Sequence, residues 1–414
     1  MKSNSLRFFV GAFALLFSTA TLVGIETAPA SAEQTPQDTR KLDELFRLVL
    51  ANPADPEANF RYAEEAERLG LSRKALAAYE RVLMNDPKNA RARAGYERTR
   101  LGIDPGQTKF LAGIGLQYES NVRLEDKNTK NDVSGQFIFR IDDDRRLGTQ
   151  PWRSSFQSYV DFHASERDAD FIYVNGQTGP VFVLDNGWQV HVAANIETGL
   201  VKYNWLYWAA GLNTTIQTRG WDPLRSVNIA VAYADYANQG GGGGSPLGPS
   251  SNAFEGGNGR DGVVAGIRAL FAWDNVLTGR DNFGVRPSFI YDNARDSQFR
   301  FWQAGLTFTY LTNIGSAENG AVQFYFSPEV MLNYRSYAGR ENLRTHDRND
   351  KRVSPGAKLI ATRDNITAVL SYTYDRAFST YDAEQVTAGC CSLVNLSSRE
   401  YANHRVGLNI YVDF

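Results

Sequence analysis

From Lys109 to Phe414 the chain alternates apolar residues with small or polar ones. Phe110, Ala112, Ile114, Leu116 and Tyr118 are interleaved with Leu111, Gly113, Gly115, Gln117 and Glu119. The same parity places Val263, Ala265, Ile267, Ala269, Phe271 and Trp273 on one side of "VVAGIRALFAW", opposite Val264, Gly266, Arg268 and Leu270. In "FWQAGLTFTY" it sets Trp302, Ala304, Leu306, Phe308 and Tyr310 against Gln303, Gly305, Thr307 and Thr309. A period of two means a strand with one face in each of two environments. About fourteen such runs, of roughly 10 to 15 residues, can be read up to Phe414; ordinary soluble strands run to about 5 or 6.

The two faces name the two environments. One is apolar with aromatic ends; the other carries Gly, Ser, Thr, Asn, Gln and single charges. That is the pattern of a transmembrane antiparallel β-barrel with lipid outside and water or a plug inside. Tyr118, Trp188, Trp273, Tyr310 and Tyr372 are expected near strand ends, in interfacial girdles. If Lys109 begins at the inner side of the membrane, the long connections 237–260, 334–350 and 379–399 all fall outside. "LDNGWQ" and "TRDN" are short inner turns, while "IDDDRRLGTQP" (141–151) reads as an unusually long one. In the closing segment, Val406, Leu408, Ile410, Val412 and Phe414 fall on the lipid side, and pairing with Lys109–Tyr118 would close the barrel.

What precedes the barrel has a different composition. "MKSNSLRFFVGAFALLFSTATLVGIETAPASA" has a basic start at Lys2 and Arg7, an apolar middle and Ala30-Ser31-Ala32 at its end. Residues 1–32 are therefore expected to be a secretory signal peptide, with the mature chain starting near Glu33. Within residues 33–107, the stretch 38–102 is rich in Ala, Leu, Arg and Glu, which favour helix. Here "LVLANPADPEA" (48–58) aligns with "VLMNDPKNARA" (82–92), and Pro53 is followed by Pro87 at the 34-residue period of the tetratricopeptide repeat. Ala63, Ala75, Tyr79, Val82 and Pro87 occupy the small, aromatic, apolar and proline positions of that unit. Gly70 is placed to end a helix, and Leu45, Leu48 and Val49 to line a partial first repeat. The expected organisation is a small all-α tetratricopeptide-like module in the periplasm, followed by a barrel over 108–414 in a bacterial outer membrane.

The composition excludes several classes of function. A net charge of −2 does not suit a nucleic-acid binder. The only two cysteines, Cys390 and Cys391, are adjacent and have no charged or histidine neighbour to activate them. His163, His191, His346 and His404 are not in metal-ligand spacing, and no cofactor motif is present. Asp161 and His163 share the inward face with Ser155 nearby, but the linear sequence forms no hydrolase constellation. The Gly240–Gly244 run reads as a flexible loop tip. The reading is non-enzymatic. Glu119, Arg140, Asp161, Glu197, Arg268, Arg286, Lys358, Asp375, Arg405 and Asp413 are the candidate lumen-lining charges, mixed in sign.

The order of leader, short repeat module and barrel resembles the surface lipoprotein assembly modulator family. "GIGLQYESNVR" (113–123) is similar to that family's first barrel strand, and "LSYTYDRAFSTYD" (370–382) to its last hairpin. The resemblance implies an outer-membrane factor that translocates or displays cargo, above all lipoproteins, with the repeats as docking module for cargo or a protein partner. Bacterial exopolysaccharide exporters share the layout, with longer repeat domains and sixteen strands. An export channel or porin-like pore is the alternative. Membrane lipids and the barrel-insertion machinery are the other implied partners, since outer-membrane barrels often finish on an aromatic residue that the machinery reads. Deleting Phe414 alone is therefore expected to impair membrane assembly in cells more than folding in detergent, as measured by heat-modifiable electrophoretic mobility. Normal insertion of the truncated chain would remove that role from Phe414.

Overall fold

The structure is a computed structural model that describes residues 36–103, 106–127, 129–147, 150–218, 223–236, 259–340, 344–382, 384–388, 392–396 and 398–414. The expected leader over residues 1–32, the Gly240–Gly244 run and Cys390–Cys391 lie outside the described residues. The chain divides into two compact units between Ile103 and Asp104.

Among the described residues the first unit contains four helices: α1 (Pro36–Ala51), α2 (Pro56–Arg68), α3 (Ser72–Asn85) and α4 (Ala90–Ile103). Its core combines Leu42 and Val49 of α1 with Phe60, Ala63 and Ala66 of α2, Ala75, Tyr79 and Val82 of α3, and Ala92 of α4. The 34-residue period is visible in the contacts themselves. Asp55 caps α2 by accepting from the Glu57 N–H, and Asn89 accepts from the Ala92 N–H at the start of α4. Asn59 donates to the Pro53 carbonyl, and Arg93 donates to the Pro87 carbonyl. Gly70 has a φ of 71°, the left-handed conformation in which glycine ends a helix at low cost. Glu65 receives Arg68 and Lys41, and the bonded Arg68 guanidinium holds its carboxyl below the usual range.

One expectation for this unit needs correction. Leu48 is 52% exposed, because the buried stripe of α1 follows Leu42, Leu45 and Val49, and Leu48 lies off it. Pro87, in the helix-ending position of the repeat, is exposed in the turn between α3 and α4. Gly95 is tied to the core by close approach: a Cβ there would fall within the Tyr79 ring.

The second unit is a closed barrel of fourteen antiparallel strands. These are β1 (Gly106–Glu119), β2 (Asp132–Leu147), β3 (Gln150–His163), β4 (Phe171–Val183), β5 (Gln189–Val201), β6 (Asn204–Gln217) and β7 (Leu224–Tyr236). They continue as β8 (Gly262–Asp274), β9 (Asp281–Ala294), β10 (Phe301–Ala317), β11 (Val322–Tyr337), β12 (Asn349–Arg363) and β13 (Ile366–Ser379). A separate hairpin, β14 (Glu384–Ala388) with β15 (Ser392–Leu396), precedes the closing strand β16 (Tyr401–Asp413). The shortest barrel strands have 13 residues, which at about 3.3 Å per residue and a tilt of about 45° cross roughly 30 Å of hydrocarbon.

Strand β1 pairs with β2 on one side and with β16 on the other, from Leu111 opposite Asp413 to Glu119 opposite Arg405. Phe110 and Phe414 exchange both backbone hydrogen bonds at the end of this ladder. Outward residues such as Ile114, Leu116, Phe137, Leu212 and Leu408 are exposed, while inward Ser134, Asp375 and Asn403 are buried. A surface with this much apolar exposure on every strand is suited to lipid. The closing seam is thin on its inner side, where Tyr411 lies over Gly113 and Asn409 over Gly115.

The longest links (120–131, 237–261, 338–348, 380–400) all fall at one end of the barrel, although the two-residue link 202–203 lies there too, and at the other end no link exceeds six residues (148–149, 184–188, 318–321 and 364–365 among them). The expected long turn over 141–151 is absorbed into strands, since Asp142–Leu147 pair with Ser155–Gln150. Charge pairing stabilises this extension: Arg153 meets Asp144, and Arg145 meets Asp143. The connection 379–399 contains the β14–β15 hairpin. Tyr118, Trp188 and Trp273 lie at or beside strand ends, but Tyr372 and Tyr310 lie within β13 and β10, because those strands extend further than the alternation alone indicates.

Beside the seam, Asp375 of β13 is the buried centre of a clamp. Arg352 of β12 donates to its Oδ1 at 2.8 Å, Arg405 of β16 reaches its Oδ2 at 2.6 Å, and the Ser354 hydroxyl also donates to it. Two outcomes follow. Asp375→Ala removes the carboxylate that both guanidiniums face and is expected to destabilise the barrel by about 3 kcal/mol, seen as a lower urea midpoint in detergent. Gly95→Ala is expected to loosen the helical unit, seen as faster limited proteolysis, although alanine normally improves a helix interior by about 1 kcal/mol.

Candidate functional site

Directly paired residues of neighbouring strands share a face, so the register defines the inner wall. One row runs Arg140, Gln157, Asn175, Glu197, Ala209 and Ala234 through β2 to β7. Next to it, Gln177 pairs with Asn195 and Asn195 with Gly211. Large polar residues on β3 to β5 thus face Gly211, Ala230, Ala232 and Gly266 on β6 to β8. The result is a depression of about 270 Å³ in the wall.

The depression is an amide field. Asn175 donates to Asn195 at 2.9 Å, Asn213 donates to Gln177 at 2.8 Å, and Asn228 donates to Asn213 at 2.6 Å. Glu197 is buried at its edge. Its carboxylate accepts from the Tyr173 hydroxyl at 2.9 Å, from Asn175 at 3.2 Å and from the Tyr207 hydroxyl at 3.4 Å. Arg268 lines the same depression. Each amide offers donors and an acceptor side by side, as hydroxyl-rich, uncharged ligands require.

Toward the long-link end the wall changes character. The Tyr207 and Tyr236 rings and the Phe301 and Tyr337 rings pack in tilted pairs, both at 5.5 Å between ring centroids. Arg335 lies 4.2 Å over Phe301, Arg348 lies 4.5 Å over Tyr337, and Arg260 lies 4.8 Å over Tyr236. Arg335 also donates to Gln303 at 2.8 and 2.9 Å. These contacts form a collar of guanidiniums on aromatic faces.

The ten candidate lumen charges distribute unevenly. Glu197 and Arg268 line the depression. Asp375 and Arg405 belong to the seam clamp, and Glu119 accepts from Asn403 of β16 at 2.8 Å. Lys358 pairs with Glu329 and Arg140 with Asp142 along the wall. Arg286 pairs in register with Thr307 on the inner face, and Asp413 is exposed at the short-link end. Sequence reading missed the amide field and the collar. The alternation marks Asn175, Asn195, Asn213 and Asn228 as inward, but only the register shows that they adjoin.

The histidines have separate roles. His191 Nε2 lies 3.2 Å from the Arg153 carbonyl oxygen, His346 Nε2 2.6 Å from that of Thr380, and His404 Nδ1 3.0 Å from the Tyr372 hydroxyl. Ser155 lies roughly 26 Å along β3 from His163, so those two residues form no catalytic pair. His163 does meet Asp161 and Glu119: one ligand atom from each lies within 4.8 Å of the others.

No protein-family model matches the chain, and no curated protein matches it. Among solved structures it is similar to a "Bacterial polysaccharide outer membrane secretin", at 11% identity and a TM-score of 0.36, covering 73% of this chain and 98% of that one. It is also similar to OmpT, an outer membrane protein of Vibrio cholerae, at 11% identity and a TM-score of 0.34, covering 75% and 98%. An anion-selective porin from Comamonas acidovorans matches at 9% identity and a TM-score of 0.33, covering 75% and 99%. At these identities and scores, none of the three assigns a cargo to this chain.

Proposed function

We propose that the protein is an outer-membrane conduit for hydroxyl-rich, largely uncharged cargo of glycan chemistry. The amide field carries this reading. It places side-chain amides of β4 to β7 in contact around a depression, and the one buried carboxylate there is already satisfied by two tyrosines and an amide. A wall built this way exchanges hydrogen bonds with passing hydroxyls without holding a fixed ion.

The chain enters β1 at the short-link end, which this reading assigns to the periplasm. The helical module is then a periplasmic docking element of tetratricopeptide type, for cargo or for the machinery that delivers it. Delivery of lipoproteins to the surface uses the same topology but does not call for an amide-lined wall.

The test is reconstitution of the full chain in planar bilayers, with neutral maltooligosaccharides added to one side. Reversible, concentration-dependent block of the ion current is expected, about tenfold weaker in Asn213→Leu/Asn228→Leu with the open current retained. The glycan reading fails if oligosaccharides have no effect while surface exposure of a co-expressed lipoprotein depends on this protein.

A further inference from the structure

The group formed by Glu119, Asp161 and His163 is not used by the conduit reading. Glu119 ends β1, and Asp161 and His163 end β3, so the three meet across β2 at the long-link end of the inner wall. Their ligand atoms lie within 4.8 Å of one another. Asp161 is 7% exposed and His163 is 5% exposed. Asp161 Oδ1 and both ring nitrogens of His163 have no hydrogen-bond partner. Buried polar atoms are ordinarily satisfied, and orphaned ones call for an explanation.

The Asp170 carboxylate lies beside the ring, its Oδ1 3.7 Å from Nδ1, beyond hydrogen-bond distance. Arg405, which pairs in register with Glu119, directs its charge to Asp375 Oδ2 at 2.6 Å.

We infer that Glu119, Asp161 and His163 form a binding site for a divalent cation of the zinc class. An imidazole with two carboxylates is a donor set for Zn²⁺, and three protein ligands leave a coordination position open. The surroundings hold each ligand in place. Gln117 donates to Glu119 Oε1 at 2.6 Å and Asn403 to its Oε2 at 2.8 Å. Gln136 donates to the Tyr159 hydroxyl, which donates to Asp161 Oδ2, each at 2.9 Å. Asp170 faces Nδ1 and accepts from the His163 backbone N–H at 2.7 Å, which leaves Nε2 for the ion. Such outer partners orient ligands at metal sites. Zn²⁺ donors lie about 2.0–2.2 Å from the ion, so small rotations would draw the three atoms together. A bound ion would brace β1 to β3 beside the seam.

The experiment uses the tag-free full chain folded in detergent, stripped with chelator and titrated with Zn²⁺ by calorimetry. One Zn²⁺ per chain is expected, with affinity at least tenfold weaker in Glu119→Gln, Asp161→Asn and His163→Gln. His346→Gln, in an outer link, should bind as the parent does. Zn²⁺ should also raise the unfolding temperature of the parent but not of the site variants. Heat-modifiable mobility reports folding; if His163→Gln fails to fold, the two isosteric carboxylate variants decide. The absence of stoichiometric binding to the parent, or parental affinity in the folded site variants, would overturn the site.

Discussion

In hydrocarbon, no water is present to satisfy a backbone N–H or C=O that the protein leaves unpaired. A sheet can cross only by pairing its first strand with its last, and the β1–β16 ladder does this. Much else follows from that ladder. Antiparallel closure with fourteen strands puts the start of β1 and the end of β16 at the same rim, where the links are short. It also fixes, for every strand, which parity meets lipid. The buried polar seam, with Asp375 between Arg352 and Arg405 and with Asn403 on Glu119, lies directly behind the ladder.

The inner wall is polar without being strongly charged in effect. Glu197 is covered by hydroxyls and an amide, Lys358 by Glu329, and Asp375 by two arginines. Charges held in such short pairs present little net field to a solute. Between β3 and β8 the depression combines amides and hydroxyls with the Arg268 guanidinium, groups that discriminate by hydrogen-bond pattern.

Parity was the most legible property of the sequence. It needs only alternation, so the inward positions of Glu197, Arg268 and Asp375 could be read directly. Strand ends were less legible, because Asp142–Leu147 look like a turn and become strand only when Arg153 and its neighbours on β3 lie opposite. In the helices, Leu48 was misread because apolar character does not reveal which of two adjacent residues lies on the buried stripe. Contacts across strands were not legible at all. Glu119 and His163 come together only through the register of β1 with β2 and of β2 with β3. The same holds for Asn213 and Asn228, which are neighbours only because β6 pairs with β7 as it does.

The bare inner side of the seam has a consequence for how the barrel recognises its own end. A Cβ on Gly113 would lie 2.6 Å from the Tyr411 ring, and the Asn409 side chain fills the space above Gly115. Strand β16 therefore carries the bulk and β1 the vacancy, at matching heights. A neighbouring edge strand that lacked glycines at those two levels could form the same hydrogen bonds only by displacing Tyr411 and Asn409. The junction thus matches these two strands to each other, and a hybrid barrel that borrowed β16 would keep the close fit only by borrowing the two glycines of β1 with it.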